Sequence, residues 1–558
     1  MSEPQGNTYK PWHLLVFMSA DNSLYSDALV SLRQLTEGSR LGDVKITVQF
    51  EGPTSDNVAR YLCKGGKRHL IWVPTDKDPT DPAGRLRDFL KNAAPDNERI
   101  FLILWGHGSG LDYLYLYSDP SQPSSVSDKP AAIKMSAKQI SRAALAIPVD
   151  VINPNTANAN RYVKDIQLGT ILGMFSGNGK TSKEERSIEG LSERKLPNDK
   201  LNGKKIDILG FDSCLMGMAE ICREVSDSVD VVVASDEEIP KGSFPYDTIL
   251  QDLNALPGMD SSSLSVAIVN RFMERYAEES KKTRISLSAY RLEKSEALAE
   301  AMKAFVEGVS SRIDTDAYDA FGLPVRNRVL LARDFSRTPE VPDYIDLGVF
   351  CDEIMLSFDP SNPIDKTIHE RAQNIRKVLV EAQYILYHRE AGPEGLSAAS
   401  GLAVYFPQAI PPITSKSIQE VVDNQTVQHL SQYEPPDKGM KHTGEPTKTT
   451  LLVFRTGPSD PNKIPTSDRT KGPDVELVQR QLIGSEVLWC DYTKLSFNSD
   501  PESGTGWAEM VEKLITGKTD ETATCRKDDA SKAEVKGQPK EPVKKAKKAV
   551  KKRSPKKA

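Results

Sequence analysis

Two short runs that are almost unbroken in apolar residues constrain the fold of this chain more than any other feature. Ile100–Leu104 reads Ile-Phe-Leu-Ile-Leu, and Ile206–Phe211 reads Ile-Asp-Ile-Leu-Gly-Phe. A strand wetted on one face alternates apolar and polar residues, whereas a strand covered on both faces does not, so these runs read as buried strands of a parallel sheet. With their flanks they span Arg99–Leu104 and Lys205–Phe211, and further strands are predicted at Leu14–Met18, Val44–Phe50, His69–Val73 and Val229–Ala234. Helical spacing separates them over Ser26–Leu35, Arg85–Asn92, Ala137–Ala146 and Leu215–Val225. Such alternation builds an α/β fold, a mostly parallel sheet sandwiched by helices.

Both core runs stop at glycine-flanked chemistry. Trp105-Gly106-His107-Gly108-Ser109-Gly110 follows the first, and Asp212-Ser213-Cys214-Leu215-Met216-Gly217 follows the second. Functional groups of an open α/β sheet collect beyond the carboxyl ends of its strands, so His107 and Cys214 are expected to meet there. A free thiol is weakly ionised near neutral pH and gains from a base, which His107 supplies. The spacing after Cys214 predicts that the cysteine sits at a helix N-terminus, whose dipole favours thiolate. Gly108 leaves room for a substrate carbonyl, and its amide with that of Cys214 is the candidate oxyanion hole. Taken singly, a cysteine after a strand is commonly a small buried hydrophobe and His-Gly commonly a turn; the shared strand-end context selects the pair.

The two motifs resemble those of the clostripain-type cysteine peptidases, relatives of caspases, gingipains and legumain. In that family the histidine lies in a W-x-H-G-x-G segment and the nucleophile in a D-x-C-L-M segment. Weaker resemblances run through Ala20-Asp21-Asn22-Ser23-Leu24, Ser235–Glu238 with Gly242–Tyr246, Tyr344–Leu347, Gly401–Pro407, and Tyr492–Phe497 with Gly506-Trp507. The resemblance implies a caspase-like fold with His107 as base and acid and Cys214 as nucleophile. It also implies an S1 pocket in which Asp212 selects arginine or lysine, with Asp236 or Glu237 adding to the acidic wall. A buried carboxylate without a cation is costly, which favours a substrate that brings one. An N-cap role is the alternative for Asp212. The chain departs from the family in a long insertion between His107 and Cys214, a polar insertion after Pro407, and a lysine-rich tail.

At 558 residues the chain exceeds the usual size of one core. The organisation expected is a catalytic core over 1–259 that includes the insertion 150–204, and a helical C-terminal accessory region over 260–407. A polar insertion over 408–486, a family-like segment over 487–516 and a disordered basic tail over 517–558 follow. Lys180, Lys183, Arg186, Arg194 and Lys195 stand in the insertion among Gly, Ser, Glu and Asn. Exposed polar loops are where proteases nick, so the insertion reads as an activation linker cut after one of these residues, by the enzyme itself or by an upstream protease; a tolerated surface loop is the alternative. The tail carries a lysine block that is either a solubiliser or a salt-sensitive, non-specific site for polyanions such as nucleic acid.

No stretch approaches the roughly 20 apolar residues of a membrane span, and Met1–Lys10 has no signal-peptide pattern, so a cytoplasmic protein without membrane association is expected. The six cysteines are scattered without a CxxC pair, which argues against a disulfide framework or a zinc site. No metal or other cofactor is expected; some members of the resembling family depend on calcium, and this sequence leaves that requirement open. The expected function is an intracellular cysteine endopeptidase that cuts protein substrates after exposed Arg or Lys and is activated by linker cleavage. The alternative is a catalytically idle caspase-like scaffold recruited to nucleic acid by its tail.

Overall fold

The computed structural model describes residues 10–115, 205–313, 323–410, 453–456, 475–479 and 489–517, with short gaps in the first and third stretches. Its strands are β1 (Trp12–Ser19), β2 (Lys45–Glu51), β3 (Val58–Lys64), β4 (Lys67–Trp72), β5 (Arg99–Trp105), β6 (His107–Gly108), β7 (Leu114–Tyr115) and β8 (Ile206–Asp212). There follow β9 (Val229–Ala234), β10 (Ile285–Arg291), β11 (Tyr344–Asp346), β12 (Ile385–Ala391), β13 (Ala403–Tyr405), β14 (Val453–Thr456) and β15 (Val475–Gln479). Nine of them form one sheet in the order β12-β10-β9-β8-β5-β1-β2-β3-β4. The middle five, from β9 through β8, β5 and β1 to β2, pair in parallel. Antiparallel strands close both sides, β3 and β4 on one and β10 and β12 on the other.

The apolar runs are explained by the two cores they divide. Leu15, Phe17, Leu102 and Leu104 face one core, while Leu14, Val16, Met18, Phe101 and Ile103 face the other. Alternate side chains of one strand therefore both need to be apolar. Helices Tyr25–Gly38, Tyr246–Ala255 and Ser261–Arg275 cover the second core, and Pro82–Ala93, Ala219–Val225 and Ser295–Ile313 cover the first. Helices Val325–Phe335, Leu347–Ser357, Pro363–Val380 and Trp507–Thr516 thicken that first layer.

The family-like terminal segment belongs to the same body. Trp489, Tyr492 and Trp507 are buried, and Trp507 Nε1 donates to the Tyr405 carbonyl at 2.9 Å. Buried Glu220 accepts from the Tyr405 amide at 2.9 Å and from the Tyr492 hydroxyl at 3.1 Å, which ties helix Ala219–Val225, β13 and this segment together.

Several sequence expectations need correction. Strand β3 is not predicted, and β10 and β12 lie in an interval read as mostly helical; all three belong to the main sheet, so 260–407 completes the sheet as well as covering it. β10 does carry the alternation of a strand, Ile285, Leu287 and Ala289 with Ser286 and Ser288, and the reading of this interval as mostly helical passes over it; its serines are buried against partners rather than facing water. The interval 408–486 contains the hairpin β14–β15. The expected helix Ala137–Ala146, the linker with its five basic residues and the tail beyond 517 lie outside the described residues. Among the described residues no helix is long and apolar enough to cross a membrane.

Candidate active site

Register brings the two motifs together. β5 and β8 pair in parallel with Trp105 opposite Asp212, so His107 and Cys214, each two residues further on, leave the sheet at the same level. The Gly106 amide donates to the Asp212 carbonyl at 3.2 Å and holds the two chains side by side at that point. Beyond it, Gly108 packs directly on the Cys214 segment: a Cβ there would collide with the Cys214 carbonyl oxygen and stand 3.0 Å from Ser213 Cβ. Only glycine permits that approach. The His107 segment is steadied from the other side by Tyr344, whose hydroxyl accepts from the Leu111 amide at 3.2 Å.

Cys214 is not at a helix N-terminus. The helix begins at Ala219 with Met218 as its cap, and the five residues Cys214–Met218 form an irregular turn in which Leu215 holds a left-handed φ of 63°. In that conformation the leucine Cβ crowds the following carbonyl oxygen, and such strain persists only where surroundings impose it. Two backbone bonds and one amide-to-sulfur bond do so here. The Leu215 amide donates to the Glu237 carbonyl at 3.1 Å, the Gly217 amide to the Ser235 carbonyl at 2.8 Å, and the Ile239 amide to Cys214 Sγ at 3.3 Å.

Without the helix dipole, the thiol has little to favour its charged form. Burial pushes the Cys214 thiol up to about 12, and Glu238 and Asp212 add to that against the pull of the Ile239 amide. Cys214 is nevertheless half-buried, whereas Cys63, Cys222 and Cys351 are buried. It is the accessible thiol among the described cysteines.

Asp212 ends β8 with its carboxylate in the second core rather than capping a helix. It accepts from the Ser243 hydroxyl, the Tyr246 hydroxyl at 2.5 Å and the Phe244 amide at 3.1 Å, and Trp105 Nε1 donates to Ser243 at 2.6 Å. Burial raises its carboxyl to about 6, against the pull of these donors. Ser243, like Leu215, sits in the left-handed region, with φ 65°. The loop Gly242–Tyr246 is legible as a motif, but its grip on Asp212 is not.

Asp236 and Glu237 do not join Asp212. Arg337 Nη1 donates to Asp236 at 2.8 Å, and its Nη2 donates to Glu237 at 2.7 Å and to Glu390 at 3.0 Å. Arg284 reaches Glu237 at 3.3 Å. Both carboxylates thus already accept from the protein's own arginines, while burial and the neighbouring Asp236 raise Glu237 to about 7, so a substrate cation would have to displace a buried guanidinium. Nothing in the sequence marks Arg337, Arg284 or Glu390, because β10, β12 and the segment after helix Val325–Phe335 converge on them only in three dimensions. Among the described residues there is no cluster of three or more side chains suited to a metal ion.

Residues 191–424 match the model of the clostripain family. That segment is similar to the clostripain peptidases. The clostripain family consists of cysteine peptidases, and the matched segment holds Cys214 and β8 to β13. No curated protein matches the chain. Among solved structures it is similar to an inactive zymogen C11 protease from Parabacteroides distasonis, at 16% identity and a TM-score of 0.45 over 75% of this chain and 95% of that one. It is also similar to a secreted C11 cysteine protease from Bacteroides thetaiotaomicron in complex with an irreversible peptide inhibitor. There the identity is 16% and the TM-score 0.44, over 74% of this chain and 98% of that one.

Proposed function

We propose that this clostripain-type peptidase is an endopeptidase in which Cys214 attacks the scissile carbonyl and His107 takes the thiol proton and later returns it to the leaving amine. The observation that carries this is the common register of β5 and β8, which sets both residues two positions beyond one paired level. The amides of Gly108 and Cys214 are the proposed oxyanion hole, since Gly108 already lies against the Cys214 backbone. Asp212 is the proposed reader of an arginine or lysine at P1. Its support is a buried carboxylate whose hydrogen-bond donors are the Ser243 and Tyr246 hydroxyls and the Phe244 amide rather than a lysine or an arginine. No metal or cofactor takes part in this proposal, and a cytoplasmic setting is proposed on the six scattered cysteines, which form no CxxC pair. Reporter peptides with Arg, Lys, Leu or Asp at P1, assayed with and without calcium, test the reading. Arg and Lys should be cut, and a preference for Asp would overturn the pocket assignment.

Control is proposed to lie in the linker between the two motifs. Cleavage after Lys180, Lys183, Arg186, Arg194 or Lys195 would free the Cys214 turn and the His107 segment from a tether joining neighbouring strand ends. Wild-type protein is then expected to separate into two associated fragments while Cys214→Ala stays whole. If an upstream protease does the cutting, the wild type also stays whole until that protease is added. Replacing all five basic residues should leave an uncut protein at least tenfold less active, and an uncut variant with full activity would refute this form of control.

The tail is proposed to bind polyanions through phosphate contacts. Removing Ser531–Ala558 should weaken retention on heparin or DNA, steeply so at low salt, and leave peptide cleavage unchanged. Equal retention at low salt would return the tail to a solubilising role.

A further inference from the structure

Arg337 is remote from the two motifs in sequence, yet three of the bonds that shape the Cys214 turn lead back to it. The segment Ser235–Ile239 supplies all three: two carbonyls that fix Leu215 and Gly217, and the Ile239 amide on Cys214 Sγ. That segment cannot be bent freely, because Gly217 lets the two chains approach so closely that a Cβ there would stand 2.8 Å from the Asp236 nitrogen. Its own conformation is set by two successive buried carboxylates. Asp236 accepts from Ser286 on β10 and from Arg337, and Glu237 accepts from Arg337 and from Arg284.

The guanidinium of Arg337 also holds Glu390 on β12, and the Arg337 carbonyl accepts from the Asp346 amide at 2.9 Å. It is buried, at 8% side-chain exposure, whereas Arg284 is one-third exposed at 34%. The cluster therefore contains three buried carboxylates and one buried cation. Without that cation, like charges in a low-dielectric site repel, and Asp236 and Glu237 are expected to separate or take up protons. Either response moves the chain that carries the Glu237 carbonyl and the Ile239 amide.

We propose that Arg337 is a positioning residue of the peptidase: it locks Ser235–Ile239 against the strained Cys214 turn and so holds the thiol in its reactive geometry. This rests on Cys214 being the nucleophile. Arg337 does not touch the reacting atoms; it acts through Asp236, Glu237 and the backbone between them. Lysine would keep the charge without the planar fork that serves several carboxylates at once.

The test compares full-length wild type, Arg337→Gln and Arg337→Lys in two measurements. One is the split of kcat and KM on an arginyl reporter peptide. The other is the pH profile of iodoacetamide alkylation at Cys214, located by mass spectrometry. Arg337→Gln should lower kcat about 100-fold with KM changed less than about threefold, in keeping with a defect expressed in the transition state. The alkylation rate at neutral pH should fall about tenfold, as the thiol loses the amide that favours its charged form. Arg337→Lys should recover part of both. A residue that only stabilises the fold would shift the melting temperature and leave the alkylation profile in place.

Folded Arg337→Gln with a wild-type kcat and alkylation profile would overturn the proposal. If Arg337→Gln does not fold, Glu390→Gln decides, because it loosens Arg337 from the β12 side; an alkylation shift of about threefold in the same direction is expected, and no shift overturns the proposal. A wild type that cuts no reporter while its Cys214 alkylation still depends on Arg337 would instead sink the endopeptidase reading alone.

Discussion

Cys214→Ala is expected to abolish peptide cleavage, a loss of about five orders of magnitude or more in kcat, because the neighbouring hydroxyl of Ser213 is buried and donates to the Leu104 carbonyl and so does not replace the thiol. His107→Ala should cost roughly a thousandfold, the usual worth of a positioned base. The environment of the thiol sharpens this expectation. Burial and the nearby Glu238 and Asp212 push Cys214 up to about 12, so the resting enzyme holds a protonated thiol and the proton has to leave during attack. Losing His107 should therefore hurt at neutral pH and be partly relieved as pH rises, since hydroxide can then assist. Alkylation should still find Cys214 ahead of Cys63, Cys222 and Cys351, by exposure rather than by acidity. Steady-state rates on an arginyl reporter, with active-site titration, check both variants. Cys214→Ala retaining full activity would sink the assignment.

Asp212→Asn should lower kcat/KM on arginyl and lysyl reporters by about 100-fold, the usual cost of removing one partner of a buried charge pair, and leave a leucyl reporter nearly unchanged. Its pH dependence carries a second signature. Burial raises the Asp212 carboxyl to about 6, so the charge that a P1 cation seeks fades as pH falls through that value. The ratio of arginyl to leucyl cleavage should drop below pH 6 in the wild type and stay flat in Asp212→Asn. Taking the ratio removes the titration of His107, which affects both substrates alike.

The stability sign is opposite to the activity sign. A carboxyl whose folded value is raised from 3.8 to about 6 keeps its proton in the fold while the unfolded chain releases it, so its contribution to stability declines as pH rises through that window. Thermal melts at pH 4 and pH 7 should therefore show wild type losing more stability than Asp212→Asn over this interval. An arginyl-to-leucyl ratio independent of both pH and residue 212 would remove Asp212 from the pocket.

The central sheet was readable because burial on both faces leaves a local mark. β1, β5, β8 and β9 need apolar residues at successive positions, and any stretch with that composition and length announces itself. The ends of β5 and β8 were readable for a related reason, since glycines beside His107 and Cys214 are required by a close backbone approach that the chain cannot make otherwise. β3, β10 and β12 left no such mark. Their buried serines and charged residues are satisfied by partners from distant segments, and polarity at a buried position looks like exposure until the partner is known.

Tertiary structure alone decided the chemistry around those ends. The pattern Leu215–Val225 contains helical spacing, yet bonds from Ser235–Ile239 hold its first four residues in a strained turn and delay the helix to Ala219. From sequence, Asp212 reads as the principal acid of one wall to which Asp236 or Glu237 adds. Only the fold separates them, giving Asp212 to the Gly242–Tyr246 loop and the other two to Arg337, some 100 residues away in sequence. Local sequence determines which segments become buried strands, because that depends on the run of side chains itself. Which carboxylate keeps its charge, and which amide reaches the thiol, depends on atoms brought from elsewhere in the chain, and electrostatic energy follows distance in space rather than position in sequence.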